Sequence, residues 1–258
     1  MSQTEDPLEA TSVLVGDRFG NWFQSLGATV SSHPVINHEF LQRFEAGKFD
    51  IGQLQFWATQ QFFFSISLPS AFAALYARVP NEFWKQKRHL VDLLKVEAWG
   101  SNETGCHSKH FIGLCQHLEI AVVKLTDRDC RPYTREYIDF RLELCLDPFR
   151  HLGEGLAAIA WGNELLNLHI FDAYRKGIGR IPGMQSCPTG YFDAHLQDEE
   201  HDAAVFQTLF RLTVKTDAEF QLAQRALIDL LDARVKFLDA LLADLDEQSK
   251  GKRLAHQK

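Results

Sequence analysis

The chain lacks most of the features that would place it quickly in a large class. No run of eighteen uncharged apolar residues occurs, which argues against a membrane-spanning helix. The N-terminus, MSQTEDPLEA, is acidic and has no apolar stretch of signal-peptide type, so a cytoplasmic location is expected. The five cysteines, Cys106, Cys115, Cys130, Cys145 and Cys187, are odd in number and show no CxxC spacing. That pattern fits a reducing compartment better than a disulfide framework. Positive charge is also scarce. With 27 Lys+Arg against 34 Asp+Glu the formal net charge is −7, and a nucleic-acid partner would want a basic stripe. The only basic run, KGKR at Lys250–Arg253, is short and terminal. No alternating strand pattern, internal repeat or dividing linker is visible.

What is present is helical periodicity over a large apolar fraction. Hydrophobic residues make up 45% of the chain and Phe alone contributes 20, enough for a wide core or an aromatic-lined pocket. Apolar residues recur at helical spacing over Ile36–Ala46, Ile51–Val79, Asn81–Trp99, His107–Ile120, Tyr133–Leu144, Phe149–Tyr174, Tyr191–Leu212 and Ala218–Leu245. A kink is expected at Pro69, and breaks at Gly100–Gly105, Thr126–Pro132, Asp147–Pro148 and Gly177–Pro188. The expectation is one all-α domain of seven or eight helices. Its helical core covers 35–245, with an N-terminal extension at 1–32 and a flexible tail at 246–258.

The stretch 191–205, YFDAHLQDEEHDAAV, sets His195, Asp198 and His201 three residues apart along one oblique row of a helix. A carboxylate and a histidine three apart can chelate one metal ion, as in helical di-iron bundles. A charged, solvated helix face would look similar, so the decision rests on other helices. Glu97, in LVDLLKVEAWG, follows an apolar run beside Trp99. Glu164 lies on the apolar helix LAAIAWGNELLNLHIF, and His107 begins CHSKHFIGLCQHL. Carboxylates on apolar helices are costly unless paired or metal-bound. Cys106, beside His107, could serve as a nucleophile, but no acidic orienter is placed for it.

The order Glu97, His107, Glu164, His195-x-x-Asp198-x-x-His201 resembles the heme-oxygenase-like di-iron oxidases and oxygenases, over roughly residues 35 to 245. GCHSKHF is similar to the family's His-x-x-x-Phe, and DEEH to its closing Asp-x-x-His. The resemblance implies a single heme-oxygenase-like bundle with two Fe(II) ions held by Glu97, His107, Glu164, His195, Asp198 and His201. It also implies O2 as co-substrate and a small-molecule substrate. The family pattern sets its first His and Asp four apart and its two His seven apart, whereas here the steps are three and six. Asp198 is the expected ligand because DEEH keeps the final spacing; Glu199, four after His195, is the alternative. The gap between Glu97 and His107 is also longer than the pattern. The implied reaction is O2-dependent oxidation of a small amine or amino acid, by N-oxygenation or oxidative bond cleavage, in a biosynthetic pathway. Fatty-acid decarboxylation within the same family is an alternative. A metal-independent enzyme like those of thiamine salvage or pyrroloquinoline quinone biosynthesis is another, and a helical binding protein a third. An external electron donor and a homodimer stay open.

Overall fold

The computed structural model describes residues 16–99 and 107–255, and every regular element among them is helical. The α-helices are α1 (Gly16–Ser32), α2 (Glu39–Glu45), α3 (Ile51–Arg78), α4 (Trp84–Leu94), α5 (His107–His117), α6 (Pro132–Leu146), α7 (Leu152–Ile159), α8 (Leu166–Arg180), α9 (Gly190–Thr213) and α10 (Asp217–Ala255). Two π-helical turns extend them. One, Lys95–Trp99, prolongs α4; the other, Ala160–Leu165, joins α7 to α8 into one rod. No single helix among the described residues is long and apolar enough to cross a membrane.

Local chemistry sets several of these limits. Asp50 and Gln53 start α3 with reciprocal bonds: the Gln53 amide donates to Asp50 Oδ1 at 3.0 Å, and the Asp50 amide to Gln53 Oε1 at 2.9 Å. The helix then runs through Pro69 to Arg78 without a break in its assignment. His151 and Glu154 cap the rod in the same way, so His151 serves as a helix cap. The rod passes the expected stop at Gly177 and ends at Arg180. A Cβ at Gly177 would overlap the Phe44 carbonyl, so glycine serves here for close approach of α2 rather than for a turn.

The long α10 packs along α7 and α6, α9 lies along the α7–α8 rod, and α3 packs against α6. Residues 16–32, within the segment read as an extension, form α1 and bury Trp22, Leu26 and Val30 in the common core. Trp22 stacks on Phe220 with centroids 4.9 Å apart. At the other end α10 continues past residue 245, and Arg43 clasps Asp246 through two bonds of 2.6 and 3.0 Å.

Two glycines near the end of the rod should therefore respond oppositely to a methyl group. Gly177→Ala overpacks the α2–α8 contact and is expected to cost about 1–3 kcal/mol. By calorimetry that lowers Tm by roughly 2–12 °C. Gly179→Ala, where a Cβ meets nothing within 4 Å, is expected to leave Tm unchanged or raise it.

Candidate metal centre

Glu97 and Glu164 both sit in π turns. Glu97 lies in Lys95–Trp99 and Glu164 in Ala160–Leu165. Such a turn adds a residue to the helical circuit and re-aims the side chains around it, and π-bulges are frequent at functional sites. α5 contributes His107 from its first position, and α9 contributes His195 from its second turn.

Glu97, His107 and His195, all buried, present ligand atoms that lie within 4.8 Å of one another. His107 Nδ1 is 2.6 Å from Glu97 Oε1, His195 Nε2 is 3.8 Å from the same oxygen, and the two imidazole centroids are 4.0 Å apart. Burial works to raise the Glu97 pKa, but the bond from His107 and the charges of His107, His195 and Arg141 hold it below the ordinary value. Burial works to lower that of His107, and Glu97 outweighs it, so the pair is an imidazolium on a carboxylate. His195 behaves differently: burial first, then the charge of His107, pushes it down to about 4. Its Nδ1 is 2.7 Å from the Tyr191 carbonyl, which can only accept. The proton is therefore on Nδ1, and Nε2 turns a free lone pair into the cluster.

Two further buried carboxylates are coupled to them by charge. Glu164 is 2% exposed, and the Asn163 amide donates to its Oε1 at 3.2 Å. The fully buried Arg141 fixes that amide by donating to Asn163 Oδ1 at 3.1 Å, while its other nitrogen holds Phe64 O and Ser67 Oγ. The second carboxylate is Asp202, which is 8% exposed. Burial, with the charges of Glu164 and Glu97, pushes its pKa up to about 8.

The placement of the histidine–acid row corrects the sequence reading. His201 is exposed on α9, not turned inward. At about 100° per residue, six residues from His195 carry a side chain about 120° round the helix, whereas seven return it to within about 20°. Asp202, seven after His195, takes the inward place, and the interval of seven in the family pattern ends on an acid in this chain. Asp198, expected to point inward, is exposed as well. Its carboxylate is 56% exposed, yet Oδ2 comes to 3.9 Å from His107 Nε2, at the mouth of the cluster. The side chains of Glu199 and Trp99, and all of Cys106, lie outside the described residues. Asp202 was legible only as one more acid in an acidic run; the signal that finds it is the heptad interval.

Three buried carboxylates and a neutral imidazole form a hard, negatively charged donor set that fits a divalent cation accepting oxygen and nitrogen ligands. The cation would replace the proton that His107 and Glu97 share, so binding should tighten as pH rises.

The sequence profile of the TENA/THI-4/PQQC family matches residues 31–180, more than half of the chain. Among curated proteins, the chain is similar to the 4-aminobenzoate synthase of Chlamydia pneumoniae, with 22% identity over 225 residues, 86% of this chain and 95% of that protein. Among solved structures, a CADD-like protein of unknown function from Nostoc punctiforme superposes with a TM-score of 0.69 at 13% identity, covering 89% of this chain and 96% of that one. A TenA homologue from Pseudomonas syringae gives 0.67 at 15%, covering 86% and 93%. A domain of unknown function with a heme oxygenase-like fold from Shewanella denitrificans gives 0.63 at 13%, covering 90% and 93%.

Asp202 provides a test in the metal-free protein. Its carboxyl ionises near 3.8 when unfolded and near 8 in the fold. Between those values the native state holds a proton that the unfolded chain has lost, so this group makes stability fall as pH rises across that window. Asp202→Asn is expected to raise Tm above wild type at pH 8, with the gain shrinking at pH 5. In iron(II) titrations the same variant should weaken binding at least 10-fold, the lower bound for loss of even an outer partner, while His201→Asn leaves it unchanged.

Proposed function

Since the chain belongs to the TENA/THI-4/PQQC family, we propose that it is an enzyme of that fold specialised as a non-heme di-iron oxidase or oxygenase, acting on a small molecule with O2. One observation carries this reading: three carboxylates and two imidazoles from four helical segments are buried together, Glu97, His107 and His195 with ligand atoms within 4.8 Å and Asp202 under the charges of Glu164 and Glu97, and only His107 among them brings positive charge. An acid–base site would need fewer acids, and a structural ion pair would need no more than Glu97 and His107.

In this reading Glu97, His107, His195, Glu164 and Asp202 hold the iron, with Asp198 at the mouth. Iron(II) bound there supplies the electrons that O2 requires. The chain's own contribution is positional and electrostatic. The Tyr191 carbonyl fixes the His195 tautomer, and the Arg141–Asn163 relay fixes the Glu164 carboxylate. Phe171 packs edge-on against the His195 ring at 5.0 Å, and Tyr191 lies against it at 4.3 Å, so water is kept from that side. A small amine or amino acid remains the favoured substrate. The product named for the Chlamydia pneumoniae relative, 4-aminobenzoate, carries both an amine and a carboxylate, in keeping with that preference.

Protein loaded with iron(II) under anaerobic conditions and desalted is expected to retain two irons per chain by elemental analysis, and to consume O2 on exposure to air. Glu164→Gln should lower iron retention and O2 uptake together. Retention of no iron, or iron content and O2 uptake indifferent to Glu164→Gln, would overturn the proposal and favour a metal-independent activity based on the Glu97–His107 pair.

A further inference from the structure

Away from the metal cluster, four buried side chains carry polar atoms that make no hydrogen bond of good geometry among the described residues. They are Trp57 through Nε1, Gln61 through Nε2 and Oε1, Tyr174 through its hydroxyl, and Arg234 through all three guanidinium nitrogens. None is more than 1% exposed.

The four converge. Trp57 and Gln61 are one turn apart on the same face of α3. The Trp57 and Tyr174 rings lie 4.9 Å apart, and the Tyr174 hydroxyl is within loose hydrogen-bonding reach of the Trp57 indole and the Arg234 guanidinium, too poorly aligned to satisfy either. The Arg234 guanidinium lies 4.4 Å from the ring of Phe64 and 5.2 Å from those of Tyr137 and Phe237. Phe64 is three residues beyond Gln61, which ties Arg234 to the same stretch of α3.

Leaving a buried donor unmade costs about 1–3 kcal/mol, and more at a charged group. The contrast with Arg141 is instructive: that guanidinium is equally buried, yet it is bonded to Asn163, Ser67 and the Phe64 carbonyl. Among the unmade groups of the four side chains, donors far outnumber acceptors. The guanidinium brings five N–H groups, the indole one, the amide two and the phenol one, against only the amide and phenol oxygens as acceptors. A complementary ligand therefore supplies acceptors and negative charge. One guanidinium calls for one negative charge, its planar fork matches a carboxylate, and the surrounding rings suit an organic body.

We propose that Arg234, Tyr174, Trp57 and Gln61 form a buried subsite for the carboxylate of a small monoanionic organic acid. The subsite lies close to the metal cluster. Glu164, Asn167, Phe171 and Tyr174 follow one another at three- and four-residue steps along the rod, and all are buried. The Phe171 ring stands 5.0 Å from that of His195 and 6.2 Å from that of Tyr174. An acid anchored here has its carboxylate one aromatic ring from a metal ligand, which among the proposed substrates favours an amino acid over a simple amine. That last step rests on the di-iron reading; the binding of the carboxylate does not.

The test is calorimetric titration of the full-length, metal-free protein with acetate and benzoate at millimolar concentration. Benzamide and benzylamine serve as neutral and cationic counterparts, and inorganic phosphate as a competing oxyanion. At least one carboxylate is expected to bind at a single site, with the other three compounds at least 10-fold weaker. Arg234→Met should weaken the carboxylate roughly 10- to 150-fold, as expected for loss of bonds to a charged group. The same variant should raise the Tm of the unliganded protein, because the unpartnered cation is gone. Should Arg234→Met not fold, Tyr174→Phe is expected to weaken binding roughly 2- to 12-fold, as for one neutral bond. No carboxylate binding, a preference for phosphate, or affinity undiminished in the variant that folds would overturn the subsite. Carboxylate binding in a protein that takes up no iron would overturn the di-iron reading and leave the subsite standing; iron uptake without carboxylate binding would do the reverse.

Discussion

The constraint on which the rest depends is electrostatic. Glu97, Glu164 and Asp202 are buried close enough for their charges to act on one another, and the cations beside them, His107 and Arg141, balance only two of the three. Carboxylates of like sign in a poorly solvated space either take up protons or gather a cation. The metal-free fold does the former: Asp202 holds its proton to about pH 8, and His107 shares one with Glu97. The architecture around the cluster serves to keep these groups together despite their repulsion.

It does so with rigid rods and a few local departures from regular helix. The α7–α8 rod carries Glu164 on a π turn, flanked by the almost wholly buried α7 and the buried face of α8, so the turn cannot relax outward. Outer bonds remove the remaining freedom: a carbonyl holds His195 and an arginine-oriented amide holds Glu164. Beyond this layer the core is aromatic. Phe171, Tyr174, Phe192 and Trp57 interlock with centroid separations of 4.9 to 6.3 Å. Such packing leaves a polar atom that lacks a partner nowhere to turn. The four unpartnered side chains around Arg234 are therefore conspicuous, and the like-charged Arg141 nearby is held by three bonds that Arg234 lacks.

The fold, and the family in its wider outline, were the legible part of the sequence. A helical period over nearly the whole chain, with no strand pattern, leads to an all-α bundle, and two glutamates stranded on apolar helices lead to a buried acidic site. Both follow from local rules: hydrophobic spacing determines which face is covered, and a carboxylate on that face must be covered too. His107 was found by its position at the start of an apolar helix and His195 by its spacing to Asp198 and His201, and both are buried.

What only the tertiary structure decided depended on rotation and on distance along the chain. Between His201 and Asp202 the sequence offers two neighbouring polar residues. One step of about 100° places the first in water and the second against Glu164 and Glu97. Composition cannot make that choice, because it depends on how α9 is turned against the rod. Gly177 carries the sequence signature of a helix stop, yet the chain runs on because the Phe44 backbone comes from a different helix to occupy the missing side chain's place. Arg234 showed no signal at all in the sequence, being one basic residue in a long amphipathic helix. Its burial without a partner arises only when α3, α6, α8 and α10 close around it, bringing together residues far apart in the chain.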